Sequence, residues 1–327
     1  MHTSATTRFV LLGDISTDVL VHSSTPLQHA SDNPSQIEFL PGGSAANQAS
    51  CLAGFNCEVH LVGAVGTDWM GVAHERALIA SGVTVHLRKV GHLRTGCTAV
   101  LVDETGERTM FPDRGANSAL LPTDVPESLL RAGSHLHVSG YSLLNDSTRP
   151  AALAAIALAR ERRLPWSVDP ASASLLVNVG PARFRDWVRD ATLCFPNLDE
   201  GAVLTGKDDV AGITSELGQD YGVLVLKLGR DGACVVSNGE TIEAPPSPVG
   251  PAGIVDTTGA GDAFCAAFLA TWVRSDSLSA ALKEASAAAA RAVTHVGARE
   301  ANATWHKMLT AAPNGLPVRL TRSSTAV

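Results

Sequence analysis

Residues 256–264 read DTTGAGDAF and run directly into CAAFLATWV. Phe264, Phe268, Leu269 and Trp272 recur there at helical spacing, so a helix begins at the glycines and buries that face. Gly259, Ala260 and Gly261 carry almost no side chain, and their backbone N–H groups can approach an anion closely where the helix starts. The helix dipole adds positive potential at the same point. Asp262 falls in the first turn beside that anion site, where a carboxylate is expected to stay ionised. That suits a base accepting a hydroxyl proton while a phosphoryl group passes overhead. On its own, GAGD reads equally well as a glycine-rich turn with Asp as the capping residue.

Two further stretches change that balance. Residues 42–49 read GGSAANQA. The pair Gly42 and Gly43 lets the backbone come close to a ligand, and Asn47, in the first turn of the following helix, can reach polar hydroxyls. At the amino end RFVLLG (8–13) reads as a buried strand that delivers Asp14 and Asp18 to the edge where open α/β sheets bind ligands. Three such sites along one chain are hard to explain as turns.

Strand and helix patterns alternate along the chain. EVHLVGAVG reads as a second buried strand and WMGVAHERALIASG as a helix closed by Gly82. HLHVSG, an Ala-rich helix near 148–163, PWSVD, a helix near 182–189, TLCFPN, two short helices up to Tyr221, GVLVLKLG and ACVVS follow. A helical stretch is expected from Gly259 to about Val296. This alternation implies a mostly parallel sheet covered on both faces. Segments 18–40 and 95–111 stand apart, the first as two exposed strands around a loop, the second as a hairpin turning at Glu104 to Glu107. Together they are expected to form a small sheet outside the main one. From Ala311 the tail is rich in Pro, Ser and Thr and is expected to be loose.

Composition sets the outer bounds. The 327 residues amount to about two domain equivalents, or one large α/β domain with an appendage. With 45% hydrophobic and 17% charged residues, the chain buries enough apolar surface to fold. Its net charge of −7 offers no field for nucleic acid or anionic lipid. Cys51, Cys57, Cys97, Cys194, Cys234 and Cys265 include no CxxC pair, a usage that points to reduced core thiols in a cytoplasmic protein. The opening apolar run is too short for a secretory signal, and no run reaches the roughly 18 residues of a membrane span. His135 and His137 alternate on a strand, but no third ligand accompanies them at metal-binding spacing. Glu216 and Asp220, one helical turn apart, are expected to face solvent. No GxxxxGK[ST] occurs, which excludes a P-loop kinase.

From Asp14 to about Ala298 the sequence resembles the PfkB (ribokinase-like) carbohydrate kinases. GGSAANQA matches that family's N-terminal glycine signature and DTTGAGDAF its highly specific C-terminal one. PNLDE supplies an N-x-x-E pattern as Asn197 and Glu200, which the resemblance assigns to organising Mg²⁺ and phosphates, Glu200 through water. LKLGRDGA (226–233) looks like the nucleotide-binding turn, with Lys227 in it and Gly229 and Gly232 beneath the phosphates and ribose. The resemblance implies a three-layer Rossmann-like α/β fold, in a kinase domain over 1–310, with a small β-sheet lid from about 15–40 and 95–112. It implies ATP as donor, a hydroxymethyl group of a small sugar as acceptor, and a homodimer formed through the lid. It makes Asp262 the base, the amides of Gly259, Ala260 and Gly261 the anion hole, and Asp14, Asp18, Gly42, Gly43 and Asn47 the sugar site. A K⁺ loop would fall on the carbonyls of Asp256, Thr258, Ala292 and Gly297, with Ala301 standing where some relatives have a Ser ligand.

Departures from the pattern bear on the acceptor. Close ribokinases carry GGKG where this chain has Gly42, Gly43, Ser44 and Ala45, and a Glu near the position of Gly140, so ribose is not favoured over other sugars. HVSGYS and ERTMFPDRGAN look more like kinases of keto-sugar acids, fructose-type sugars or nucleosides. Arg114 would pair with the carboxylate of an acidic acceptor; with a neutral one it would be solvated or pair with Asp113 or Glu107. The neutral case is expected, because no second cation in HVSGYS or SVDPASAS completes a clamp. The non-enzyme alternative is a sugar sensor without turnover, against which Asp262, Asn197 and Glu200 weigh. A vitamin kinase of the wider superfamily is disfavoured, since it typically has Cys where Asp262 stands.

Overall fold

The computed structural model describes residues 7–310 except 24, 104–107, 252 and 300–302. The apolar run at the amino end forms β1 (Arg8–Leu12), in which Phe9 to Leu12 are at most 1% exposed. A strand buried on both faces needs a core on each side. Alternation supplies it: Phe9 and Leu11 enter one core, Val10 and Leu12 the other.

The chain continues through β2 (Ser16–Ser23), β3 (Ser35–Gly42), α1 (Ser44–Gly54), β4 (Glu58–Gly66), α2 (Trp69–Ala80), β5 (Thr84–Val90), β6 (Gly96–Val102), β7 (Arg108–Asp113) and β8 (Ser134–Ser139). There follow α3 (Gly140–Leu144), α4 (Arg149–Glu161), β9 (Trp166–Asp169), α5 (Ala173–Val179), α6 (Pro181–Val188), β10 (Leu193–Cys194), α7 (Leu198–Thr205) and α8 (Val210–Leu217). Last come β11 (Val223–Lys227), β12 (Ala233–Ser237), β13 (Glu240–Ala244), α9 (Ala260–Ser275), α10 (Leu278–Ala292) and α11 (Ala303–Thr310).

The large sheet runs β13-β12-β11-β10-β9-β8-β1-β4-β5, with parallel pairing except at β11–β12 and β12–β13. Helices α1, α9 and α10 close the core that receives Phe9, and α4 and α6 close the one that receives Val10. This is the three-layer α/β arrangement expected. Strand order grows from β1 in both directions, so the carboxyl ends of β1 and β8 flank a topological switch point, where such sheets open a crevice. The second sheet runs β3-β2-β6-β7, with β2 and β6 parallel. Its buried core is Leu20, Val100 and Val102, with Leu40 packed against them.

Several local readings are corrected. The expected helical stretch from Gly259 to about Val296 is two helices. Asp276 turns left-handed at φ 52°, and Ser277 caps α10, its Oγ accepting from the Ala280 N–H at 3.2 Å. Strand β5 carries Arg88 and Lys89 at the edge of the large sheet, and its charges masked it in the sequence. Asp18 lies on β2 of the lid rather than at the end of β1. Asp220 does not face solvent: it accepts from Arg185 at 2.8 Å and Arg189 at 3.1 Å, and Glu216 accepts from the same Arg185. His135 and His137 both bond the Ser167 hydroxyl at 2.8 Å. Burial pushes their imidazoles down, to about 3 and about 4. All six cysteines are free, and no helix among the described residues is long and apolar enough to cross a membrane. The hairpin turn at 104–107, Ala301 and the tail from Ala311 lie outside the described residues.

Candidate active site

The crevice is a cleft of about 880 Å³ between the carboxyl edge of the large sheet and the lid. Gly259 starts α9 at φ 77°, and a Cβ there would stand 2.5 Å from the Ala298 Cα. The N–H groups of Gly259, Gly261 and Asp262 donate to no backbone carbonyl among the described residues, whereas that of Ala260 turns back to the Thr257 carbonyl at 3.3 Å. The donors open to an anion are therefore those of Gly259, Gly261 and Asp262.

Asp262 is held by one face of α1. Ser44 Oγ donates to its Oδ1 at 2.7 Å, Gln48 Nε2 to the same oxygen at 3.1 Å, and Asn47 Nδ2 to Oδ2 at 2.8 Å. The three donors stand at i, i+3 and i+4, which share a helix face. The preceding turn is possible because Gly43 takes φ 91°, with the Asp14 carbonyl 2.5 Å from where a Cβ would be. Burial pushes the Asp262 carboxyl above its ordinary range, the Asn47 and Ser44 donors oppose this, and Asp169 adds to the rise. The expectation that Asp262 simply stays ionised left out burial; the α1 donors are what favour the carboxylate. Asn47 Oδ1 is buried with no hydrogen-bond partner among the described residues.

Asp14 lies just past β1, where Arg114 clamps it through NH2 to Oδ1 at 2.9 Å and NH1 to Oδ2 at 3.1 Å. Arg114 is therefore neither solvated nor paired with Asp113. Burial pushes the Asp14 carboxyl up against the pull of Arg114. Asn117 fixes the adjoining turn, its Oδ1 accepting from the Ile15 N–H at 3.0 Å and its Nδ2 donating to the Ile15 carbonyl at 2.8 Å. Burial raises Asp18 to about 7, with Arg299 opposing and Asp262 and Asp256 adding to it. Gly42 makes room for Asp18, whose Oδ2 would lie 2.4 Å from a Cβ at that position.

Toward β9 and β11, Asp169 Oδ2 accepts from Lys227 Nζ at 2.8 Å and from Cys265 Sγ at 3.2 Å. That ammonium lies 3.6 Å from where a Cβ on Gly261 would stand. Asn197 and Glu200 form a reciprocal capping box on α7, each side chain accepting from the other's N–H at 2.8 Å. Burial, then Asp169, raise Glu200 to about 7. At the anion-loop end Asp256 accepts from the N–H of Thr258 at 2.6 Å and of Gly297 at 2.8 Å, and the Arg108 guanidinium from β7 reaches both Asp256 and Thr258 Oγ1. Gly42, Ala260, Gly229, Gly232 and Ala292 do not line the cleft, Gly229 and Gly232 lying in the turn between β11 and β12.

Sequence reasoning missed Ser44, Gln48, Arg108, Asn117 and Asp169. Helical spacing from Asn47 signals Ser44 and Gln48, and the strand-end rule that picked Asp14 also picks Asp169 at the end of PWSVD. Arg108 and Asn117 carry no local signal.

Residues 6–305 match the pfkB family carbohydrate kinase profile. The chain belongs to the PfkB family. PfkB-family membership makes it a kinase, a phosphotransferase to an alcohol group of the sugar and nucleoside class, and implies ATP as donor. It is similar to the ATP-dependent ribose-1-phosphate kinase of Halopiger xanaduensis, at 35% identity over 264 residues, 80% of this chain and 82% of the other. It is also similar to the pseudouridine kinase of Escherichia coli, at 31% identity over 81% of this chain and 83% of the other. The adenosine kinase of Sinorhizobium meliloti shares the fold, with a TM-score of 0.82 at 22% identity, covering 94% of this chain and all of that one.

Proposed function

We propose that this PfkB kinase transfers the γ-phosphoryl group of ATP to a hydroxymethyl group of a small neutral sugar, or of the sugar ring of a nucleoside. The observation that carries the neutral acceptor is charge: among the described residues, seven carboxylates and three cations line the cleft. Arg108, Arg114 and Lys227 are each already paired with a carboxylate. An acidic acceptor would meet no free cation, which weighs against the 2-keto-3-deoxy sugar acids.

Asp262 is the base, reached by the acceptor hydroxyl at the start of α9, and the three α1 donors keep it ionised for that task. The N–H groups of Gly259, Gly261 and Asp262 receive the charge that develops on the transferred group. Asp14, oriented by Arg114, accepts sugar hydroxyls, and the orphaned Asn47 Oδ1 accepts one more. Lys227 sits at the phosphate end beside Gly261. No cluster of three metal-ligating side chains occurs among the described residues, so Mg²⁺ would be held mainly by the phosphates, with Glu200 contributing through water from its Oε1, which makes no hydrogen bond among the described residues. Mg²⁺ supplies neutralisation of phosphate charge. The lid sheet closes over the acceptor and excludes water, so that ATP is not hydrolysed.

A panel of neutral sugars, nucleosides, sugar acids and ribose 1-phosphate, screened for ADP release, tests this reading. Turnover of a neutral sugar or nucleoside is expected, and a strict requirement for an acidic or phosphorylated acceptor would overturn it.

A further inference from the structure

The K⁺ loop that the resemblance suggests would lie around Asp256, Thr258, Ala292 and Gly297, and its fit is decided by what Asp256 already holds. That carboxylate is 2% exposed. Its Oδ1 accepts from the Thr258 N–H and pairs with Arg108, and its Oδ2 accepts from the Gly297 N–H. The same Arg108 nitrogen reaches Thr258 Oγ1. One buried carboxylate thus already faces one full positive charge. A second cation beside it would be repelled by the guanidinium with no further carboxylate bonded there to compensate.

Arg108 stands on the lid, not on the loops it contacts. Its backbone pairs with Val102, a member of the lid core. Leu40, packed against that same core, lies 2.8 Å from where a Cβ on Gly297 would stand. The seat of the lid on the Gly297 loop therefore fixes where the guanidinium arrives, next to the turn that opens α9.

Resting on the kinase reading above, we infer that Arg108 is a positioning residue that takes the place of a monovalent cation: its guanidinium supplies the positive charge behind the anion loop, and supplies it only when the lid is seated. The loops carrying Asp256 and Gly297 are tied directly by the Gly297 N–H bond to the Asp256 carboxylate that Arg108 holds, and the Gly259 turn packs on the neighbouring Ala298. Lid closure and completion of the anion site then become one event rather than two.

The test begins with the unaltered protein. Its turnover in potassium salt and in choline salt at equal ionic strength should agree within about twofold, and thallium(I), followed by its NMR signal, should show no saturable binding. Arg108→Gln should turn over at least about tenfold more slowly in choline, recover severalfold with added guanidinium ion or K⁺, and gain saturable thallium binding. Arg108→Lys should keep most of the rate. Tenfold activation of the parent by K⁺, or thallium binding to it, would overturn the inference. So would a folded Arg108→Gln that is fully active, or one that neither cation rescues. The thallium measurement needs no acceptor, so a failure to find a substrate leaves it decisive.

Discussion

On the floor of the cleft, Asp262, Asp169 and Lys227 are each held by partners on elements buried in the two main cores, whereas Asp18 and Arg108 stand on lid strands whose own core is Leu20, Val100 and Val102. Burying a Leu or Val side chain contributes about 1.5–3 kcal/mol, while ordering backbone costs about 1–2 kcal/mol per residue. Among the described residues, three buried apolar side chains with Leu40 beside them are too small a core to hold four strands in place by themselves. The lid depends on its docking contacts: Arg108 on Asp256, Trp305 Nε1 donating to the Phe39 carbonyl at 3.1 Å, and Thr17 bonded to His74 at 2.8 Å. The floor is held from within the main cores, whereas the lid is held by a few contacts that the proposed closure would make and break.

Four substitutions probe that division. Asp262→Asn should lower kcat by about 10²- to 10⁴-fold while ATP binding, measured by calorimetry, stays intact. Turnover within a small factor of the parent would place the base elsewhere. Lys227→Met leaves the buried Asp169 carboxylate without its cation and should cost about 3–5 kcal/mol of stability, read by urea denaturation. A small loss would mean that the floor is as adjustable as the lid.

Asp18→Asn addresses the lid through pH. The folded carboxyl titrates at about 7 against an ordinary aspartate value of 3.8, so the folded state holds the proton more tightly. The stability this contributes is complete below about 3.8 and is lost as pH rises through about 7. The parent should therefore weaken relative to Asp18→Asn between about pH 4 and pH 8, by an amount on the order of 2–4 kcal/mol. A difference independent of pH would remove the buried charge from the account. The smallest effect is expected at Arg114→Gln, which frees Asp14 without emptying it. KM for the acceptor should rise about tenfold with KM for ATP unchanged, and parallel losses for both substrates would break the separation of acceptor and donor ends.

What was legible in the sequence was local. The apolar run RFVLLG, the glycine pair at 42 and 43 and the small-residue opening of α9 are properties of short windows, and the fold class is legible in the alternation of strand and helix patterns along the chain. The pairing of Arg114 with Asp14 was not legible, because the two are a hundred positions apart and meet only when β1 and the lid assemble. Arg108 lies 150 positions from Thr258 and has a turn-flanking sequence that reads as any solvated arginine. Nothing in GGSAANQA reveals that Asn47 Nδ2 donates to a carboxylate 215 positions away, which leaves its Oδ1 for the sugar role expected of it. The break at Asp276 was hidden because alanine-rich helical composition continues on both sides of it.

The meagre core of the lid also makes it a reporter. Amide protons on β2, β3, β6 and β7 should exchange with deuterium through local opening long before those of β1 and β8, which leave their sheet only on global unfolding. A molecule that seats the lid would slow exchange on those four strands and leave the large sheet unchanged. Acceptors of this kinase are thus recognisable by a pattern of protection alone, in the absence of any phosphoryl donor.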